Sequence, residues 1–257
     1  MADITIYLNK SIEENAGLCY EKAKKARKKI EGAKKALEES LKKLEKLEKE
    51  KKIEEQKAIK KEVPKEKKWY EKFHWFISSE GFLVIGGRDA TSNEIIIKKH
   101  TENNDGVLHT DMAGSPFFVI KSENRDIGEK TIKEAADAVV SYSKAWKLGM
   151  TTTPVFYVKP EQVSKKAKSG EYLTKGAFMI YGKTEYIENK INLAVGIKEG
   201  EIMAGPVDAI SKNCEKFVEV IPGREKTSQV AKKIQHKIGG ELDDIIRALP
   251  SGCEIKK

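Results

Sequence analysis

Apolar residues recur at Ala16, Cys19, Ala23, Ala26, Ile30, Ala33 and Leu37. This alternating three–four spacing predicts a heptad seam along one long helix. A second step of four, from Leu37 to Leu41, is a stutter that relaxes the supercoil locally, and Leu44 and Leu47 continue the stripe. Asn9 or Ser11 can cap the helix, Glu13 and Glu14 complement its dipole, and Pro64 ends it. Unbroken, it is about 75 Å long. A helix that is polar apart from one stripe is not stable alone. The seam runs through Gly32, which disfavours a hairpin there, so the partner is expected outside this sequence, as another segment or a second copy. Before the helix, ITIYL alternates well enough to predict a short strand.

The period shortens after Trp69. FHWFIS and GFLVIG flank Ser79-Glu80-Gly81 and predict a hairpin. Asp89 is placed to cap a helix beginning at Ala90. VLHTD and FFVIK predict two further strands, and apolar residues at Ile132, Ala135, Ala136, Val139, Val140 and Ala145 predict a helix over TIKEAADAVVSYSKAW. PVFYVK, GAFMIYG and INLAVGI are strand-like, QVSKKAKSGEYL is a loop, and the tail from Gly200 adds strands and short helices, among them Ser228 to Ile238. Strands and helices mix without strict alternation. The expected fold class is therefore α+β, a mixed sheet with flanking helices preceded by a long coiled-coil helix. The expected divisions are a basic arm over 1–68, an α+β domain over 69–199 and an extension over 200–257 packed on it.

Charge sharpens this division. Residues 11–68 hold 20 Lys and Arg against 13 Glu, so they supply most of the chain's net charge of +9. An anionic partner at the arm is one reading, and a helix kept soluble by Lys and Glu is the other. Three scattered cysteines make no C-x-x-C pair, which argues against a disulfide framework or zinc site and for a reducing, cytoplasmic setting. No apolar run reaches membrane-spanning length, and the first ten residues do not resemble a secretory signal. Abundant Lys, Glu and Ile are the bias of hyperthermophiles.

Candidate chemistry gathers after Trp69. Gly86 and Gly87 precede Arg88 and Asp89, so Arg88 is placed either to clamp a phosphate or to pair internally with a carboxylate. Asp89 reads as a helix cap. His109 and Asp111 lie two apart on a strand, as an acid–base pair, a hydrogen-bonded pair or RNA contacts; no third ligand at telling spacing favours a metal. Trp69, Trp75 and Phe76 are candidate base-stacking residues, with Lys72 close by; Trp75 and Phe76 cannot share one strand face, so at least one of them is core, and Trp146 also reads as core. Lys98, Lys99, Lys165, Lys166 and Lys168 are candidate phosphate contacts, the last three in a loop that otherwise reads as ordinary solvated chain. On the arm, Lys24, Lys25, Arg27 and Lys28 belong to the basic run from Lys22 to Lys29. No cofactor is expected.

The block from Trp69 to Glu94 (WYEKFHWFISSEGFLVIGGRDATSNE), with HTDMAGS downstream, resembles the NFACT-R domain of the NFACT family of ribosome-quality-control factors. SYSKAW at 141–146 and QVSKKAKSGEYLTKGAFMIYG at 162–182 match the same pattern, and Asn15-Ala16 with Tyr20 resembles the family's coiled-coil segment. Met112-Ala113-Gly114-Ser115-Pro116 departs from the family's usual sequence. The resemblance implies the C-terminal half of an archaeal member, a non-catalytic module binding tRNA and the RNA of the large ribosomal subunit and helping to recruit charged tRNA to stalled subunits. It also implies that the arm's partner is the N-terminal half of such a protein. An RNA- or nucleotide-processing enzyme using His109, Asp111 and Arg88 is the alternative, as is a coiled-coil interaction scaffold.

Overall fold

In the computed structural model, residues 4–59, 68–166 and 173–256 are described, with the backbone alone for 45–59. The chain falls into two compact units, Met1–Lys67 and Lys68–Lys257.

The first unit is one helix, α1 (Ile12–Ile59), of 48 residues and so about 72 Å. Its start follows from the sequence Ser11-x-x-Glu14. The Ser11 hydroxyl accepts from the Glu14 amide at 3.1 Å, while the Glu14 carboxylate accepts from the Ser11 amide at 2.8 Å. This reciprocal cap satisfies two orphan donors. Asn15 also bonds the Tyr7 amide and carbonyl, which ties the leading segment to the helix. The strand expected over ITIYL does not form. Residues 4–8 pair with no other strand among the described residues, and Ile4, Ile6 and Leu8 are exposed, so alternation there has no sheet to serve. Ile30, Leu37, Leu41 and Leu44 lie exposed along the helix.

In the second unit, β1 (His74–Ile77) and β2 (Leu83–Gly86) form the expected hairpin, with Trp75 opposite Ile85. β3 (Gly106–Thr110), β4 (Phe118–Ile120), β5 (Val155–Val158) and β8 (Glu185–Ile187) complete an antiparallel sheet in the order β1-β2-β4-β3-β5-β8. Both Trp75 and Phe76 are buried, although they point to opposite faces of the strand, so both faces of this sheet are covered. Between β5 and β8, the short strands β6 (Val163–Ser164) and β7 (Met179–Ile180) pair and close the base of the QVSKKAKSGEYL loop.

The helix expected through Ala145 is broken in two. α3 (Glu129–Ser141) stops at Tyr142, and α4 (Lys144–Leu148) restarts behind Ser143. The Ser143 hydroxyl donates to the Val140 carbonyl at 2.8 Å and accepts from the Ala145 amide at 3.1 Å, ending one helix and capping the next. The break turns Trp146 away from the first core and into a second.

That second core lies on an antiparallel sheet, β10-β9-β11-β12, formed by β9 (Leu193–Lys198), β10 (Glu201–Gly205), β11 (Lys216–Pro222) and β12 (Cys253–Ile255). α6 (Thr227–Ile238) and α7 (Leu242–Ala248) pack there with Val230, Ile234 and Ile245 buried. α5 (Val207–Asn213) instead presses Ala209 and Ile210 against the first core. The two sheets are stitched together. Trp146 donates its indole N–H to the Gly252 carbonyl at 2.9 Å, and Tyr142 donates its hydroxyl to the Ala248 carbonyl at 2.8 Å.

Candidate nucleic-acid interface

The Gly-Gly-Arg-Asp turn is built for packing. A Cβ at Gly86 would overlap the Phe118 ring, and one at Gly87 would overlap the Asn93 carboxamide. Asn93 needs that space because it bonds the 115–117 loop from inside, accepting from the Phe117 amide at 3.1 Å and donating to the Ser115 carbonyl at 3.4 Å. Asp89 caps α2 (Ala90–Lys99), accepting from the Ser92 amide at 2.7 Å. Arg88 turns inward and donates to the Phe73 carbonyl at 3.0 Å. Burial lowers its pKa and draws the neighbouring His74 imidazole down to about 3, so His74 is neutral where it stacks on Tyr142 at 3.9 Å. Arg88 therefore braces the interior beneath the turn.

His109 and Asp111 part company. His109 is the only one on β3; its Nε2 lies 3.2 Å from the Ser115 carbonyl, and its ring stacks on Phe117 at 3.9 Å. Burial lowers its pKa. Asp111, beyond the strand end, accepts from the Tyr186 hydroxyl at 3.1 Å. Among the described residues no group of three or more His, Cys, Asp or Glu is placed to hold a metal ion.

The loop lysines are divided by Glu94. Lys165 lies 2.7 Å from the Glu94 carboxylate and donates to the carbonyls of Thr174 and Ala177, both at 3.0 Å, so its ammonium is fully engaged. Lys98 reaches the same carboxylate at 3.3 Å, and the Gly176 amide donates to it at 3.1 Å. Glu94 thus clamps the loop onto α2. Lys166 makes no ion pair among the described residues, and Lys168 lies outside them.

These bonds hold the Glu94 carboxylate down at about 2, with Lys165 the largest cause, against an ordinary value of 4.5. A depressed carboxylate stabilises fully above its unfolded value, so the clamp is complete above about pH 4.5 and weakens as pH falls towards 2. Glu94→Gln is expected to abolish this dependence. Hydrogen exchange should show the Gly176 amide less protected in the variant at neutral pH, and unchanged protection would remove the clamp from the account.

Trp69 and Lys99 meet at His100. Trp69 is 44% exposed and stacks on His100 with ring centroids 4.4 Å apart and planes 16° from parallel. His100 caps the end of α2, directly after Lys98 and Lys99. Burial lowers the His100 pKa most, and Lys72, Lys121 and Lys99 lower it further, so the ring under Trp69 is neutral at neutral pH. Lys72 and Lys99 are exposed and make no ion pair among the described residues. Lys121 is bound below, to the His100 carbonyl at 3.1 Å and the Asp105 carboxylate at 2.5 Å. Residue type alone marks Trp69, Lys72 and Lys99 as candidates in the sequence, whereas the only signal for His100 is its place at the C-terminus of α2. On the arm, Lys24, Lys25, Arg27 and Lys28 are all exposed.

Comparison with known proteins places the chain in a family. Residues 72–182 match the family model of the NFACT protein RNA binding domain. The archaeal Rqc2 homolog aRqcH of Methanocaldococcus jannaschii is 44% identical over 204 residues, which is 76% of this chain and 30% of that protein. The ribosome quality control complex subunit NEMF of Homo sapiens is 39% identical over 168 residues, 64% of this chain and 15% of that one. The chain therefore spans less than a third of the length of these curated relatives. The C-terminal part of the fibronectin/fibrinogen-binding protein of Streptococcus suis matches with a TM-score of 0.39 and 17% identity, over 51% of this chain and 49% of that one, too distant to weigh. By its matched domain and these relatives, the chain belongs to the NFACT family.

Proposed function

We propose that the chain is an RNA-binding module of a ribosome-associated quality-control factor and performs no chemistry itself. The match of residues 72–182 to an RNA binding domain carries this reading. The name of the human relative, a ribosome quality control complex subunit, supplies the setting. In this reading residues 69–199 form the RNA-binding body and residues 200–257 an extension whose sheet takes β9 from that body. Residues 1–68 are a basic arm whose exposed stripe meets a second helix, from the N-terminal half of such a factor or from another copy. The RNA is tRNA and the RNA of the large ribosomal subunit, with charged tRNA brought to stalled subunits. Of the candidate cations, Lys72, Lys99 and Lys166 on the body and Lys24, Lys25, Arg27 and Lys28 on the arm make no ion pair among the described residues and are free to meet phosphate. His109 and Asp111, bonded to separate partners, support the protein's own structure in this account.

Neutralised phosphates release counterions, so affinity falls linearly in log–log plots against salt. Filter binding of tRNA to the chain is expected to be strong at 50 mM salt and to weaken at least tenfold by 200 mM. Failure to retain any RNA at the lower salt would remove the proposal.

A further inference from the structure

We infer that the Trp69–His100 stack is a docking shelf for one unpaired nucleotide, whose base extends the stack on Trp69 and whose phosphates meet Lys72 and Lys99. The inference rests on the RNA-binding reading and names the part of the RNA that this surface takes. His100 occupies one face of the indole, and 44% of Trp69 is still exposed. Tyr70 and Phe73 meet it at steep interplanar angles of 83° and 74°, so His100 is its one parallel stacking partner among the described residues. The imidazole beneath is uncharged, so the pair presents a flat aromatic step with a rigid backing.

The cations decide what kind of occupant fits. Lys99 directly precedes His100, the Lys72 ammonium lies 5.0 Å from the centroid of the Phe73 ring that meets Trp69 edge-on, and neither lysine has a carboxylate partner among the described residues. An apolar peptide over Trp69 would strip water from two ammonium groups that have no carboxylate partner, without repaying the cost. An acidic peptide would pair the lysines but offers no planar ring. A base within a duplex already has its faces covered by its neighbours. A nucleotide with a free base supplies a π face and phosphate together, the combination that single-strand readers use.

The shelf also has a specific optical reporter. Of the three tryptophans, Trp75 is 7% and Trp146 1% exposed, so a stacking base can quench Trp69 alone. The full chain is titrated at low salt with a single-stranded oligoadenylate and with an RNA duplex of equal length. The oligoadenylate is expected to quench the intrinsic fluorescence saturably and the duplex to do so far less. Trp69→Ala is expected to bind the single strand about tenfold more weakly. Trp69→Phe should abolish the quench while keeping most of the affinity, since a ring remains. An unchanged thermal midpoint in Trp69→Phe separates stacking from a folding effect.

Unaltered single-strand affinity in Trp69→Ala would overturn the shelf, as would equal quenching by the duplex. Those two results leave the RNA-binding reading standing, whereas failure to bind either RNA contradicts that reading itself.

Discussion

Lys121→Ala is expected to destabilise the second unit by about 3–5 kcal/mol, the cost of stranding a buried charge. The Asp105 side chain is 0% exposed, and Lys121, 10% exposed, lies 2.5 Å from it. The carboxylate also accepts from the Glu102 amide at 2.8 Å and the Ser122 amide at 2.9 Å, so it is fixed in place and cannot swing out to water. Against a typical domain stability of about 5–15 kcal/mol, the loss is large enough to read directly from urea unfolding. The double variant Asp105→Asn with Lys121→Met should recover part of it, because no charge remains buried and the amide oxygen keeps one of the two backbone bonds, while the other backbone N–H loses its acceptor. A loss below about 1 kcal/mol in the single variant would show that the pair is not the anchor described. Lys121 also donates to the His100 carbonyl, so the same variant should loosen the ring under Trp69.

Trp146→Ala is expected to cost about 3–5 kcal/mol through the cavity it leaves. The side chain is 1% exposed and packs in the second core with Val195, Val230 and Cys253. Its indole N–H also leaves the Gly252 carbonyl without that donor when removed. Trp146 belongs to α4 but fills the core of residues 193–255, so the two sheets should lose stability together. Calorimetry of the variant is expected to show one transition shifted to lower temperature. An early, separate transition for the C-terminal sheet would contradict the shared body.

The sequence already disclosed much of this fold where periodicity and punctuation agreed. Ser79-Glu80-Gly81 between two apolar runs became the β1–β2 hairpin, and Asp89 capped α2. The break at Ser143 stayed hidden, because apolar spacing continues across it and only the serine's bonds to Val140 and Ala145 reveal the stop. ITIYL shows the opposite failure, since alternation cannot tell whether a partner strand exists. At the candidate site, residue type marked Trp69, Lys72 and Lys99 but could not distinguish them from Lys165, whose ammonium is engaged by Glu94 some 70 residues earlier. Arg88 stayed open between a phosphate clamp and an internal pair for the same reason: two glycines suggest close approach, and here Phe118 and Asn93 are what approach. His100 went unnoticed because stacking on Trp69 across about 30 residues leaves no local pattern.

The most direct test is the salt dependence of single-stranded RNA binding by the full chain beside the Lys72→Ala, Lys99→Ala double variant. If both lysines meet phosphate, the variant's log–log slope should be shallower by about 1.4, from about 0.7 per phosphate contact on a single strand. An unchanged slope and affinity would contradict the account, because the exposed Trp69 face would then lie outside the RNA's path.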